Sequence, residues 1–438
     1  MKPHKIGVFL FHRDLRVVDN TSLNALAAVC DAVVPVFIFT PEQVTSENKY
    51  KSDASVQFMI ESLDELAREC PLVTLYGDTT TLMKRVVKET GATAVGFNED
   101  YTPYAVKRDK ELVEGLGDGL KIVSEADFYL TRPGDLVTGS GTVYKVFTPF
   151  YEAALKQLKI KVDSGRKIKW HNVESTANSM SLEEAYTRFT TPNPEIAVKG
   201  GRHAGLKMLT SAKSLTNYDK TRDTMALPTT QASAYLKYGC VSVREMYQAV
   251  KGIHALLRQL IWRDFYAHVL FAYPDGTLKR PAIKWTKNKK WLDAWKEGRT
   301  GFPLVDAAMR QLNETGYMHN RGRMLVASFL SKILLIDWRE GERYFATKLV
   351  DYDVASNSLN WQTTVFDNLP YVKIFNPWTH SKEHDPDATY IKRWVPELRD
   401  VHVKDIHGWE KRWKDYDGIY VRPIVDYVEQ REKALWVY

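Results

Sequence analysis

The stretch from Tyr317 to Trp361 reads YMHNRGRMLVASFLSKILLIDWREGERYFATKLVDYDVASNSLNW. Its first half is apolar nearly all round a helical projection, which predicts a buried helix over 320–336, central to its domain. Asn320, Arg323 and Met324 stand at i, i+3 and i+4 and share one face of it. Trp338 follows, then Asp351-x-Asp353-x-x-x-Asn357, then Trp361. Polar groups inside such a layer cost free energy unless something satisfies them. Arg323 and Asp351 suit a charge-assisted pair. Spacing leaves two readings open: an ion pair that serves structure alone, or one that flanks a large polar cofactor.

Outward from this block the pattern stays helical, over 255–271, 303–312 and 340–349. Thr229, Thr230 and Ser233 precede Tyr235-Leu236 and mark a helix start. Together with Tyr218 and Arg222-Asp223 upstream, they are either ordinary caps or an anion site suited to a diphosphate. Residues 1–125 differ. Strands at Ile6–Phe11, Ala32–Phe39, 72–76, 94–97 and 120–123 alternate with helices over 54–70 and 81–89. This predicts an α/β, doubly wound parallel sheet, with ligands at the strands' carboxyl ends. No GxGxxG follows the first strand, so a nicotinamide site is not expected. Residues 126–200 are rich in Gly, Pro, Ser and Thr and read as a connector with one helix near 149–158. The expected division is 1–125, 126–200 and a helical domain over 201–438.

The 438 residues carry a net charge of +7, 44% hydrophobic and 26% charged residues, ordinary values for a globular protein. No apolar run is long enough to span a bilayer, and the N-terminal run is too short for a signal peptide. A soluble, cytoplasmic chain (nuclear in a eukaryote) and a monomer are expected. Cys30, Cys70 and Cys240 are isolated, which excludes a disulfide framework and an all-Cys metal site. Eight Lys/Arg against two Asp/Glu, interleaved with Trp285, Trp291 and Trp295, fill residues 279–299. Such a strip fits a polyanion or, more plainly, a solvated loop. His380 and His384 have i, i+4 spacing but no third ligand in view, so a polar loop and no metal are expected.

Several motifs, in order through the chain, resemble the photolyase/cryptochrome flavoproteins, and the cyclobutane-type photolyases in particular. They are Phe11-His12-Arg13-Asp14-Leu15-Arg16 with Asp19-Asn20, Ile261-Trp262-Arg263-Asp264-Phe265-Tyr266, Met318-His319-Asn320-Arg321, Asp337-Trp338-Arg339-Glu340-Gly341, and Asp351-x-Asp353. The resemblance implies a C-terminal helical domain holding FAD. Tyr218, Thr229, Thr230 and Ser233 would lie along its diphosphate, with Gln259, Arg263, Asn320, Arg323, Asp351 and Asp353 around the rest. Asn357 would sit beside the flavin N5. A neutral amide there suits an anionic reduced flavin. Trp361, Trp338 and Trp285 would form the family's electron-transfer chain. Trp262, Gln259, Asn320 and Met324 would line the pocket for a flipped pyrimidine dimer; photolyases are themselves among the standard examples of base flipping. Arg222, Arg321 and Lys392 would grip DNA phosphates.

The chain departs from that pattern at two places. Gln259 replaces the usual Glu, and Thr363 replaces a second pocket Trp, which removes an apolar wall. The histidine pair of six-four photolyases is absent, and no long C-terminal extension of the signalling kind is seen. The expectation is light-driven repair of cyclobutane pyrimidine dimers in single- or double-stranded DNA, a lyase reaction. The alternative is a cryptochrome-type blue-light receptor. An antenna chromophore, a folate or a deazaflavin, would belong to the N-terminal domain near Asn98-Glu99-Asp100-Tyr101.

Overall fold

The computed structural model describes residues 5–173, 177–275, 283–366 and 372–438. Five parallel strands, β1 Ile6–Phe11, β2 Ala32–Phe39, β3 Val73–Tyr76, β4 Ala94–Asn98 and β5 Lys121–Glu125, form one sheet in the order β3-β2-β1-β4-β5. Pairing runs from Ile6↔Ala32 to Phe11↔Phe37 on one side of β1 and begins at Gly7↔Ala94 on the other. The order reverses between β1 and β4, so the switch point opens at His12, Arg13 and the residues after Asn98. β2 is buried at every position, as expected of a strand covered on both faces. Gly96 lets the helix Thr21–Ala27 sit close to the sheet, since a Cβ there would stand 3.0 Å from Leu26 Cδ2.

The connector makes more structure than its composition suggests. Besides the expected helix, Phe147–Gln157, it holds a second, Leu182–Phe189, capped by Ser181. Sequence reasoning missed the latter because only Ala185 and Phe189 of its eight residues are buried, too few for a periodic signal. The connector also bridges to the sheet, Val33 to Trp170 and Leu75 to Ser179.

Helices Arg202–Ser214, Ser233–Lys237 and Val243–Val250 contribute residues to the same core as one face of the sheet and the helix Asp53–Glu69. A second core gathers around Phe302, Leu325, Phe329, Trp338 and Trp361. The one helix expected over 320–336 is an α-helix, Asn320–Ser328, followed by a π turn, Phe329–Ile333. Hydroxyls and a charge enter this apolar segment and hold the irregular turn. Ser331 donates to the Ala327 carbonyl at 2.7 Å, and the fully buried Lys332 donates to the Lys373 carbonyl at 2.7 Å.

An ion network joins the two halves. Asp127 accepts from Arg16 at 2.6 Å and from Arg244 at 2.7 Å, and Arg244 also reaches Asp19 at 2.9 Å. Burial alone would push the Asp127 carboxyl up, but the two guanidinium groups hold it far below the usual carboxylate range. No described helix is long and apolar enough to cross a membrane.

Candidate functional site

The polar residues of the opening stretch converge. Arg323 Nη2 donates to Asp351 Oδ2 at 2.8 Å, and Ser233 Oγ donates to the same oxygen at 2.6 Å. The other oxygen, Asp351 Oδ1, is buried and has no partner, a costly arrangement for a side chain only 4% exposed. Arg323 lies over the Tyr317 ring at 5.5 Å, and the Tyr317 hydroxyl meets Thr229 Oγ1 at 3.1 Å. Burial pushes the Tyr317 phenol up, so it stays protonated. Ser233, Thr229, Tyr317, Arg323 and Asp351 thus form one rim. Tyr218 stands half-buried on the single turn Tyr218–Thr221.

The expected capping does not occur as read. The helix after Thr229-Thr230 is only Ser233–Lys237, its cap residue is Ala232, and no side chain caps it. Thr229 and Ser233 are turned to Tyr317 and Asp351 instead, and only Thr230 Oγ1 accepts locally, from Ala232 N at 3.3 Å. Two of the three hydroxyls, Thr229 and Ser233, are thus drawn away from the backbone, against the capping reading.

Asn357, on the helix Val354–Phe366, is buried, and its Nδ2 donates to Glu342 Oε1 at 3.0 Å. That bond fixes which way the amide points. Burial raises the Glu342 carboxyl. Asp353 Oδ1 accepts from Ser356 N at 2.9 Å at the start of the same helix. Asp353 Oδ2 faces Arg13 of the N-terminal domain at 3.3 Å. Arg263 is half-buried, donating to the carbonyls of Phe128 and Leu236.

Trp361 and Trp338 are buried in the second core, and Trp285, half-buried, packs against it. The Trp338 indole N–H has no partner. Thr286 N donates to Leu335 O at 2.7 Å, which ties the Trp285 segment to the loop before Trp338. Gly341 leaves the space that Trp361 fills: a Cβ there would lie 2.2 Å from Trp361 Cη2.

On the outer side, Trp262 stacks face to face on Phe147 of the connector, with centroids 3.7 Å apart and planes 4° apart. Phe147 is buried, so it backs Trp262 and holds the plane of its ring. Gln259 is exposed on the same helix, His254–Ala272. Asn320 Nδ2 approaches Met324 Sδ at 3.6 Å. Thr363 donates to the Asn360 carbonyl at 3.0 Å. Arg321 pairs with Asp223 at 2.8 Å, and Arg222 and Lys392 are half-buried. A cavity of about 440 Å³ lies beside Arg321, lined also by Lys373, Asn376, Thr379, His380 and His384. The two histidines sit on a helix, Pro377–His384, and not in the expected loop, because Asn376 caps it and Pro377 starts it. Burial draws His380 down to about 4, so Arg321 and Lys373 carry the positive charge of this cavity. Among the described residues no cluster of three or more metal-ligating side chains occurs.

The basic strip divides. Residues 276–282, with Lys279 and Arg280, lie outside the described residues. Trp295 is fully buried, its indole donating to the Val326 carbonyl at 3.0 Å, while Lys289 and Arg299 pair with the nearby Asp293 and Glu297. The expected solvated loop is not what forms: Lys289–Glu297 is a helix that buries Trp295, and only its outer face, with Lys289 and Lys290, stays exposed. The stretch Asn98 to Tyr101 is engaged within the protein. Asn98 binds Asp14 and Asn20, Asp100 binds Arg13, and Tyr101 donates to Glu99. Tyr317, Glu342, Phe147 and Arg13 complete these sites, and none was singled out for a role from sequence.

A doubly wound sheet docked on a helical domain with a half-satisfied acidic cradle defines a two-domain protein built around a large polar cofactor. Residues 7–168 match the family model described as DNA photolyase, and residues 256–438 match the one described as FAD binding domain of DNA photolyase. A deoxyribodipyrimidine photo-lyase of Escherichia coli is 36% identical, over 98% of this chain and 97% of its own. An archaeal photolyase of Sulfolobus tokodaii, solved with two FAD molecules, superposes with a TM-score of 0.86 at 36% identity, covering 98% of both chains. A cryptochrome of Synechocystis superposes with a TM-score of 0.90 at 27% identity, covering 100% of each chain. The chain belongs to the DNA photolyase family. The residues present fit FAD: the orphaned Asp351 oxygen, the two diverted hydroxyls and the fixed Asn357 amide offer both acceptors and donors for a flavin and its polar tail.

Proposed function

We propose that this protein repairs cyclobutane pyrimidine dimers in DNA in a light-driven lyase reaction. The observation that carries the reading is the cradle around Asp351, which faces the same helix edge as Asn320 and Met324. The cradle would hold FAD, whose reduced form would supply, under blue or near-UV light, a reversible one-electron donation to the dimer. The protein's part is to bind, orient and insulate. Arg323 holds the Asp351 carboxylate, and Ser233 shares it, so one oxygen remains as an acceptor for the ribityl or ring edge. Asn357, held by Glu342, presents a neutral amide that does not readily deliver a proton. Asp353 and Arg263 would flank the ring, and Thr229, Thr230 and Tyr218 would lie along the diphosphate. Trp361, Trp338 and Trp285 carry electrons inward to restore the reduced state.

Trp262, backed by Phe147, offers an apolar platform for a flipped base. Gln259, Asn320 and Met324 complete that pocket. Arg222, Arg321 and Lys392 contact phosphates, so binding weakens as salt rises and depends little on sequence. Arg321 must be shared with Asp223 when a phosphate arrives.

The cryptochrome likeness and the changes at Gln259 and Thr363 favour signalling as the second reading. Incubation of reduced holo-protein with dimer-containing DNA, lit or dark, separates the two. Light-dependent loss of dimers supports repair. Normal flavin photoreduction with intact dimers supports signalling.

A further inference from the structure

We propose that Arg13, a residue of the N-terminal sheet domain, is a positioning residue for the flavin site that sets the charge and orientation of Asp353. This rests on the reading that places Asp353 against the flavin. Arg13 follows β1 at the switch point of the sheet. It is clamped before it reaches the helical domain: Nε lies 2.8 Å from Asp100 Oδ2, and Nη2 donates to Asp100 Oδ1 at 3.1 Å and to the Tyr129 hydroxyl at 3.3 Å. Its guanidinium also lies 4.5 Å over the Phe128 ring. Two N–H donors remain on Nη1, and one of them crosses the domain boundary to Asp353 Oδ2 at 3.3 Å.

Asp353 is held from both ends. Its Oδ1 accepts from the Ser356 backbone and its Oδ2 faces Arg13, so the plane of the carboxylate is fixed by one contact within its own helix and one from the other domain. The side chains of Arg13, Asp353 and Asp100 are only 13%, 12% and 8% exposed, so water screens this contact weakly. Arg263 faces the same region from the helix His254–Ala272, 4.4 Å over the Tyr129 ring. Both arginines help hold the Asp353 carboxyl below its usual range despite burial, and Arg13 is the stronger influence. Without Arg13, Asp353 would stay charged beside Arg263 but lose one neighbour and one positive charge. An under-compensated carboxylate disfavours added negative charge next to it. The flavin should then become harder to reduce.

The test is a redox titration of FAD-loaded protein, with FAD retention measured alongside, for R13Q, R13K, D353N and the double variant R13Q/D353N. R13Q is expected to keep FAD but move its midpoint to a more negative potential, so the reduced fraction at the wild-type midpoint falls severalfold. R13K should recover part of the shift. In the D353N background, R13Q should add little, because the path runs through Asp353. An R13Q midpoint equal to wild type, with a shifted D353N, overturns the proposal. So does an R13Q shift of equal size with and without Asp353, which would make Arg13 act directly. If D353N leaves both FAD affinity and midpoint unchanged, the placement of Asp353 at the flavin fails instead. Should R13Q not fold, R13M, closer in bulk and equally uncharged, is measured in its place with the same two outcomes.

Discussion

At the scale of the residue, the account turns on side chains that are individually ordinary. Trp361 is a core tryptophan by burial, and its proposed role rests on lying in one apolar cluster with Trp338 and Trp285. Trp361→Phe keeps most of the volume but raises the cost of oxidation. Photoreduction of the oxidised protein should therefore slow by at least tenfold, while repair by prereduced protein stays close to wild type. Equal loss of both in a folded variant would refute the electron-chain assignment. The Arg323–Asp351 pair makes a second test. Removing one partner of a largely buried pair leaves the other uncompensated, at a cost of about 3 kcal/mol. Arg323→Ala should show that loss in urea unfolding, and FAD affinity should fall with it. The pair was legible in the sequence because both partners sit in one motif-dense block. Tyr317 with Thr229, and Arg13 with Asp353, were not: they meet across 88 and 340 residues, and no local pattern reports a contact of that range.

At the scale of the element, strands and long helices followed from periodicity, and the exceptions have local causes. The helix begun at Asn320 runs into a π turn at the point where Ser331 back-bonds to the Ala327 carbonyl and Lys332 reaches out of the helix to the Lys373 carbonyl. Such a turn shifts the side chains after it, and Leu335 ends the segment with a φ of 51°. The five-residue helix after Thr229 is short because its hydroxyls serve a distant carboxylate and tyrosine. The helix Trp338–Lys348 gives the prediction at this level. Its Gly341 faces Trp361 Cη2 at 2.2 Å and Leu330 Cδ2 at 2.6 Å from an added Cβ. Gly341→Ala gains helix propensity but overpacks the core, so a net loss of about 1–3 kcal/mol is expected in chemical denaturation. It should also disturb the fluorescence of Trp361. Stability at or above wild type would mean that the core yields there and that Gly341 does not set the ring's position.

At the scale of the whole molecule, the halves are joined by charge as well as by apolar contact. Asp127 bridges Arg16 and Arg244 with almost no exposure. Its folded-state pKa is depressed, so its contribution is fully present above the unfolded value, about 3.9 for Asp, and is lost as pH falls below that toward the folded value. Thermal melting should be nearly flat near neutrality in this respect and drop once the pH passes below about 4. Asp127→Asn should be less stable at pH 7 and show a shallower acid slope; an unchanged slope would remove Asp127 as the source. The doubly wound sheet was readable from alternation alone, whereas this joint was not, because its members come from three separate segments. The central claim concerns what the assembled molecule does with one photon. The direct measurement is a single blue flash on prereduced, FAD-loaded protein bound to dimer-containing DNA, with dimers and flavin absorbance followed together. The account predicts that dimers are lost and the flavin returns to its reduced spectrum. A flavin left oxidised beside intact dimers would contradict it.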